Sequence, residues 1–144
     1  MKSGETWTEL QFNNRDPVYL QVVRHFKERI AAGLLMAGQA IPSRRELGSL
    51  LKINPNTAQR AYKEMEEQKL ITTEGNSPSR ITTNADVLRA IRSELLESAI
   101  EVFLTSVKSI EISADELSEL VKRKFEQQMQ EQAIPSQREA ERDD

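Results

Sequence analysis

The chain has 144 residues, 38% hydrophobic and 30% charged, with 5 Gly, 5 Pro, no Cys and a net charge of −3. That balance describes a soluble, largely helical domain or a small domain with an appendage. No apolar run approaches the roughly 20 residues that span a bilayer, the opening MKSGETWTEL lacks the apolar stretch of a secretory leader, and the lack of Cys excludes thiolate metal sites and thiol catalysis. The expected compartment is the cytoplasm, with no membrane partner.

Residues 1–15 read as an N-terminal arm in which ELQF is a candidate short strand. Asp16-Pro17 is a helix start: Asp caps, and Pro tolerates the first helical position because its missing N–H has no intrahelical partner there. Leu20, Val23, Phe26 and Ile30 then recur near the helical period, and Gly33 is the stop. Ser43-Arg44-Arg45-Glu46 has the S-x-x-E form of a capping box and opens a short helix whose apolar face is Leu47, Leu50 and Leu51. So short a run is unstable alone and must pack on neighbours. Asn54-Pro55 repeats the cap-then-Pro signal. Ala58, Ala61, Tyr62 and Met65 follow at i, i+3, i+4 and i+7, the spacing of a buried stripe, and this helix is expected to fray near Gln68-Lys69.

LITTEG and SRITT, separated by a Gly/Asn/Ser/Pro turn, suggest a small hairpin. After Asn84 a long helical pattern runs over residues 85–110 without Gly or Pro. Ser113-Ala114-Asp115-Glu116 then gives a second capping box, followed by Leu117, Leu120, Val121, Phe125 and Met129 on one face. Residues 133–144 read as a flexible acidic tail. The expected fold is mainly α with a small β-hairpin wing: a winged helix-turn-helix over 16–83, followed by a C-terminal helical dimerisation region over 84–132.

In such a fold the second helix of the pair enters the DNA major groove N-terminus first. Its first turns must then present hydrogen-bonding side chains outward while the other face is buried. With Ala58, Ala61, Tyr62 and Met65 inside, Asn56, Thr57, Gln59, Arg60 and Lys63 fall outside or at the margin. Asn and Gln pair with adenine, Arg with guanine, and Thr meets a thymine methyl or a phosphate. Ser43 and Arg45, at the start of the preceding helix, suit phosphate. Charge is distributed accordingly. Residues 1–83 carry 12 Lys/Arg against 9 Asp/Glu, and residues 84–144 carry 8 against 14. Within 41–63, Arg44, Arg45, Lys52, Arg60 and Lys63 face Glu46 alone. An ordinary wet helix face in a protein-interaction module has the same periodicity, so spacing alone leaves both readings open.

IPSRRELGSLLKINPNTAQRAYKEMEEQKLI resembles the DNA-binding domain of the GntR family of bacterial transcription regulators, whose pattern is close to L-P-S-x-R-x-L-A followed by T-V-x-x-A-y-x-x-L-e-x-x-G-l-I. Pro42, Ser43, Arg45, Leu47, Leu51, Ile53, Thr57, Ala61, Tyr62, Met65, Leu70 and Ile71 fall on its positions. Asp16-Pro17-Val18-Tyr19-Leu20-Gln21 resembles the P-i-Y-x-Q-i opening of the same family, and the NPNT turn with a short C-terminal half looks most like the YtrA subfamily. The resemblance implies DNA contacts at Ser43, Arg45, Asn54, Asn56, Thr57, Gln59 and Arg60 and at the wing near Gly75. The local charge adds Arg44 and Lys63, and Arg80 is a candidate phosphate contact in the wing. The sequence departs from the pattern at Pro55, where many relatives have Arg, at Lys69, which replaces the usual Gly, and in the wing EGNSPSRI, where G-x-G-T is favoured.

A reader of paired half-sites requires two-fold symmetry. Helix 85–110 is apolar over more surface than one short helix covers. A homodimer through Leu88, Ile91, Leu95, Ala99, Val102 and Phe103 is therefore expected, the alternative being packing within one chain against helices 17–32 and 114–130. The C-terminal part is too small for a closed pocket, so a small-molecule effector has room only at the dimer interface. No cofactor is expected. Catalysis is not expected either: the lone His25 reads as a surface or helix-boundary residue, and Glu66-Glu67 and Asp115-Glu116 read as a solvated face and a helix start.

Overall fold

The computed structural model describes the backbone of residues 10–142 and the side chains as far as residue 133. Five helices and one hairpin follow in the order α1 (Val18–Ala31), α2 (Arg44–Leu51), α3 (Pro55–Glu67), β1 (Ile71–Thr72), β2 (Arg80–Ile81), α4 (Ala85–Val107) and α5 (Ala114–Arg142). The chain divides into two compact units, Met1–Val102 and Phe103–Asp144. No helix among the described residues is long and apolar enough to cross a membrane.

Local signals set most of the helix ends. Ser43 and Glu46 form both halves of the capping box at α2, and the Asn54 side chain accepts the Asn56 N–H ahead of Pro55 at α3. The N-cap of α1 is Pro17, without a side-chain cap. Asp16 does not cap it, because the preceding turn is organised by Asn13, whose side-chain oxygen accepts the N–H groups of Arg15 and Asp16. The backbone over Leu10–Phe12 forms no strand, and the rest of the expected arm, residues 1–9, lies outside the described residues.

Helices α1, α2 and α3 end the same way. Two crossed backbone bonds close the last turn around a residue of positive φ: Gly33 at 77° after α1, Lys52 at 55° after α2 and Lys69 at 65° after α3. The bonds are Leu34→Arg29 and Gly33→Ile30, Ile53→Gly48 and Lys52→Ser49, and Leu70→Met65 and Lys69→Glu66. Gly33 takes this conformation freely, whereas the two lysines bear the left-handed penalty of a Cβ.

Helix α3 packs on both α1 and α2. Val22, Val23, Phe26 and Ile30 from α1, Leu47 from α2, and Ala61, Tyr62 and Met65 from α3 form the core, closed by Leu35, Ile41, Leu70, Ile71 and Ile81. The Phe26 and Tyr62 rings meet edge-on at 6.3 Å. His25 is also buried, contrary to the expected surface position: it lies beside Phe26 on the inward side of α1. The wing is the expected antiparallel hairpin, Ile71 opposite Ile81 and Thr72 opposite Arg80. It gains a third, unforeseen partner where Ala40 bridges Arg80 and where Ile41 N–H bonds the Ser79 carbonyl.

Asn84 caps α4 through its side-chain oxygen, which accepts from Asp86 and Val87. The opening turns of α4 belong to the winged core: Ile91 is 2% exposed, and Val87, Leu88 and Leu95 pack against the same cluster. Lys27 of α1 reaches Glu94 at 3.1 Å. Of Leu88, Ile91 and Leu95, expected at a dimer interface, Ile91 is buried in the core of its own chain, and Leu88 and Leu95 are half-buried against that core. The helix ends at Val107 instead of residue 110. In the second unit Ser113 accepts the Glu116 N–H at the start of α5, and the helical backbone continues to Arg142, past residue 133 where a tail was expected.

Candidate nucleic-acid interface

The positive part of the first unit is assembled from two helix starts and a hairpin. At α2, the Ser43 hydroxyl accepts the Glu46 N–H at 3.1 Å and the Glu46 carboxylate returns a bond to the Ser43 N–H at 3.2 Å. The hydroxyl proton of Ser43 remains free to donate. Arg45 is exposed beside it with no partner among the described residues. Arg44 behaves differently from its expected role. Its guanidinium bonds Glu66 of α3 at 2.7 Å and lies 5.7 Å from the Tyr62 ring centroid, so it ties α2 to α3.

Helix α3 turns its polar side outward. Asn56, Gln59, Arg60 and Lys63 are exposed, with Thr57 half-buried. Asn56, Gln59, Arg60 and Lys63 line one groove together with Tyr19, Glu64 and Glu67. The groove is graded in charge: donors occupy the N-terminal turns, and the two carboxylates lie towards the C-terminal end. A helix entering a DNA groove by its N-terminus would bring the donors in first and keep the carboxylates back. Asn54, one of the expected contacts, has its side-chain oxygen committed to the cap. The Arg60 guanidinium lies 4.0 Å from the Tyr19 ring centroid.

The wing is held at its base. Thr73 and Ser79 hydroxyls meet at 2.6 Å across the hairpin, and Thr73 also donates to Glu66 at 3.4 Å. Glu66 was expected on a solvated face; it is half-buried and joins α2, α3 and the wing. Gly75, at φ 56°, forms the exposed tip. Arg80 donates to the Gly38 carbonyl at 3.0 Å, which directs it back along the wing edge. Beneath these groups the Tyr62 hydroxyl donates to the Pro42 carbonyl. Burial pushes that hydroxyl far above the usual tyrosine range, and the nearby Arg44 offsets only part of the shift.

Residues 18–81, the three helices and the hairpin just described, match the family of bacterial regulatory proteins called gntR. The helix-turn-helix transcriptional regulator YhcF of Bacillus subtilis is 30% identical over 112 residues, which cover 78% of this chain and 93% of YhcF. The chain belongs to the GntR family. The transcriptional repressor YtrA of the same organism is 32% identical over 98 residues, 68% of this chain and 71% of YtrA. A GntR family transcriptional regulator from Listeria monocytogenes superposes with a TM-score of 0.69 at 28% identity, covering 78% of this chain and 98% of that one. This GntR protein is accordingly a DNA-binding transcriptional regulator of the winged helix-turn-helix class.

Of the expected DNA contacts, Asn56, Gln59, Arg60 and Lys63 share one groove and Ser43 and Arg45 share the start of α2. Arg44, Asn54 and Arg80 are engaged within the fold. Two residues of this surface were missed by sequence reasoning. Tyr19 was visible only as the aromatic in PVYLQ, with nothing local to pair it with a residue 41 positions later. Glu66 looked like any exposed helix carboxylate, since its partners come from α2 and the wing.

Proposed function

We propose that this GntR regulator acts in the cytoplasm as a homodimeric repressor that reads an inverted-repeat operator with the N-terminal turns of α3 from each subunit. The groove that gathers Asn56, Gln59, Arg60 and Lys63 carries the assignment. Gln59 and Arg60 read base edges, Asn56 and Thr57 work at the groove margin, and Ser43, Arg45 and Lys63 hold phosphate. Repression is supported by the likeness to the YtrA repressor. Dimerisation is supported by apolar side chains left open in the single chain. On α4 these include Leu96 and Ile100, each 52% exposed, and Val102, 70% exposed. Among the residues expected at the interface, Ala99, Val102 and Phe103 remain available. No cofactor takes part, and an effector, if the regulator has one, binds between the subunits.

Selection of fragments from the source genome at moderate salt, with self-association followed in the same buffer, tests this reading. A short inverted repeat should be recovered. Arg45→Ala should weaken binding to all DNA alike and lower the salt slope by about one. Gln59→Ala should relax preference at one base pair per half-site, at a cost of about 1–3 kcal/mol. Recovery of no sequence above random, or uniform weakening by both substitutions, would overturn the assignment.

A further inference from the structure

We infer that Tyr19, on the first turn of α1, is a positioning residue for base recognition, holding the Arg60 guanidinium in the pose that reads a guanine. The inference rests on the DNA-reading role proposed for α3. Tyr19 is half-buried against the core, so its ring is a fixed platform. The Arg60 guanidinium carbon stands 4.0 Å from the ring centroid, within the range of a cation–π contact. The carboxylate one turn further along α3, Glu64, bonds Gln68 at 2.8 Å, and the Arg60 charge rests on the ring instead.

Stacking engages the face of a guanidinium and leaves its in-plane N–H groups outward. Those edge donors are what a guanine O6/N7 pair requires for a bidentate bond. An arginine free in solvent must be ordered on binding; one already stacked loses less rotamer freedom. Gln59 and Lys63 line the same groove without an aromatic partner among the described residues, so Arg60 is the pre-oriented reader of the set. Tyr19 itself supplies no base contact.

The test is selection of bound duplexes from a randomised library by the full chain, as wild type, Tyr19→Phe, Tyr19→Leu and Arg60→Ala, at one salt concentration. Wild type should enrich a guanine at one position of each half-site, and Arg60→Ala should lose it. Tyr19→Leu should reduce that preference about tenfold or more, the range of one bidentate pair, while other positions and the salt slope stay unchanged. Tyr19→Phe, which keeps the ring, should retain it, and Tyr19→Leu combined with Arg60→Ala should be no worse than Arg60→Ala alone. Uniform weakening by Tyr19→Leu, loss of the preference in Tyr19→Phe, or an unaltered preference in Tyr19→Leu overturns the inference while leaving the operator reading intact. Absence of any selected sequence with wild type overturns both. A second readout needs no substitution: Arg60 side-chain resonances of the free protein should carry the upfield shift of a nearby ring current, and unshifted resonances would refute the stack.

Discussion

Three single positions carry conformational or electrostatic costs that can be measured. Gly48 lies in α2 with ordinary helical geometry, and a Cβ there would meet the Ile53 carbonyl at 3.6 Å and the Ala58 methyl at 3.8 Å, both normal contacts. Lys69 has the opposite fault, a Cβ held at φ 65°. Gly48→Ala and Lys69→Gly should therefore each stabilise the fold by up to about 1 kcal/mol, measured by urea denaturation. Tyr62 makes stability depend on pH. Its folded pKa lies above the value near 10 of the unfolded chain. As pH rises past about 10 the unfolded chain loses this proton first, which favours unfolding. The advantage of wild type over Tyr62→Phe, about 1 kcal/mol at pH 8 for one hydrogen bond, should hold up to about pH 10 and shrink above it. A constant gap would show that the hydroxyl is not protected by the fold.

At the scale of elements, α4 starts as part of the winged domain. Ile91 sits 2% exposed in the same cluster as Phe26 and Met65, so Ile91→Ala should cost about 2–5 kcal/mol of the domain's stability, seen as a lower urea midpoint for the unfolding of α1–α3. Had α4 been joined by a free hinge at Thr83-Asn84, the change would leave that midpoint unmoved. Helix starts at Ser43 and Asn54 were legible in the sequence because their signals lie within one turn. The same holds for the buried stripe of α3 and the hairpin around Gly75. The Asp16 start was misread because Asn13, outside the usual capping window, organises that turn. The pairing of Ala40 and Ile41 with the second wing strand was not legible, since it joins segments 38 or more residues apart. Leu88, Ile91 and Leu95 were legible as an apolar face, but helical period does not say against which surface such a face packs, and here Ile91 is buried in its own chain's core with Leu88 and Leu95 half-buried beside it.

At the scale of the whole molecule, apolar surface remains open in the second unit, which begins at Phe103. Leu120, Val121, Phe125 and Met129 of α5 are between 37% and 60% exposed, and Phe103, near the end of α4, is 38% exposed. Large apolar side chains left exposed in this number mark candidate association sites. Phe103→Glu is expected to leave the winged domain folded and the half-site affinity unchanged. On the proposed dimeric reading, sedimentation should show a monomer where wild type is a dimer, and affinity for the full inverted repeat should fall on the order of a hundredfold through lost bivalency. A variant that stays dimeric would move the interface elsewhere.

The division between residues committed to the fold and residues left facing solvent bears on how such a regulator changes its target. Ser43 and Asn54 cannot be altered without loosening a helix start, Arg44 cannot be altered without loosening the contact of α2 with α3, and Glu66 joins that contact to the wing. Asn56, Gln59 and Lys63 have no such duty among the described residues, so they can be exchanged freely. On the proposed reading, a new operator preference is reachable by single steps at Asn56 and Gln59 with little loss of folded protein, whereas Lys63, placed on phosphate, sets affinity for all sequences alike. Position 60 is tied to position 19 and would have to be rewritten as a pair. Libraries built to retarget this protein would gain most by varying 56 and 59 independently, and 19 and 60 together.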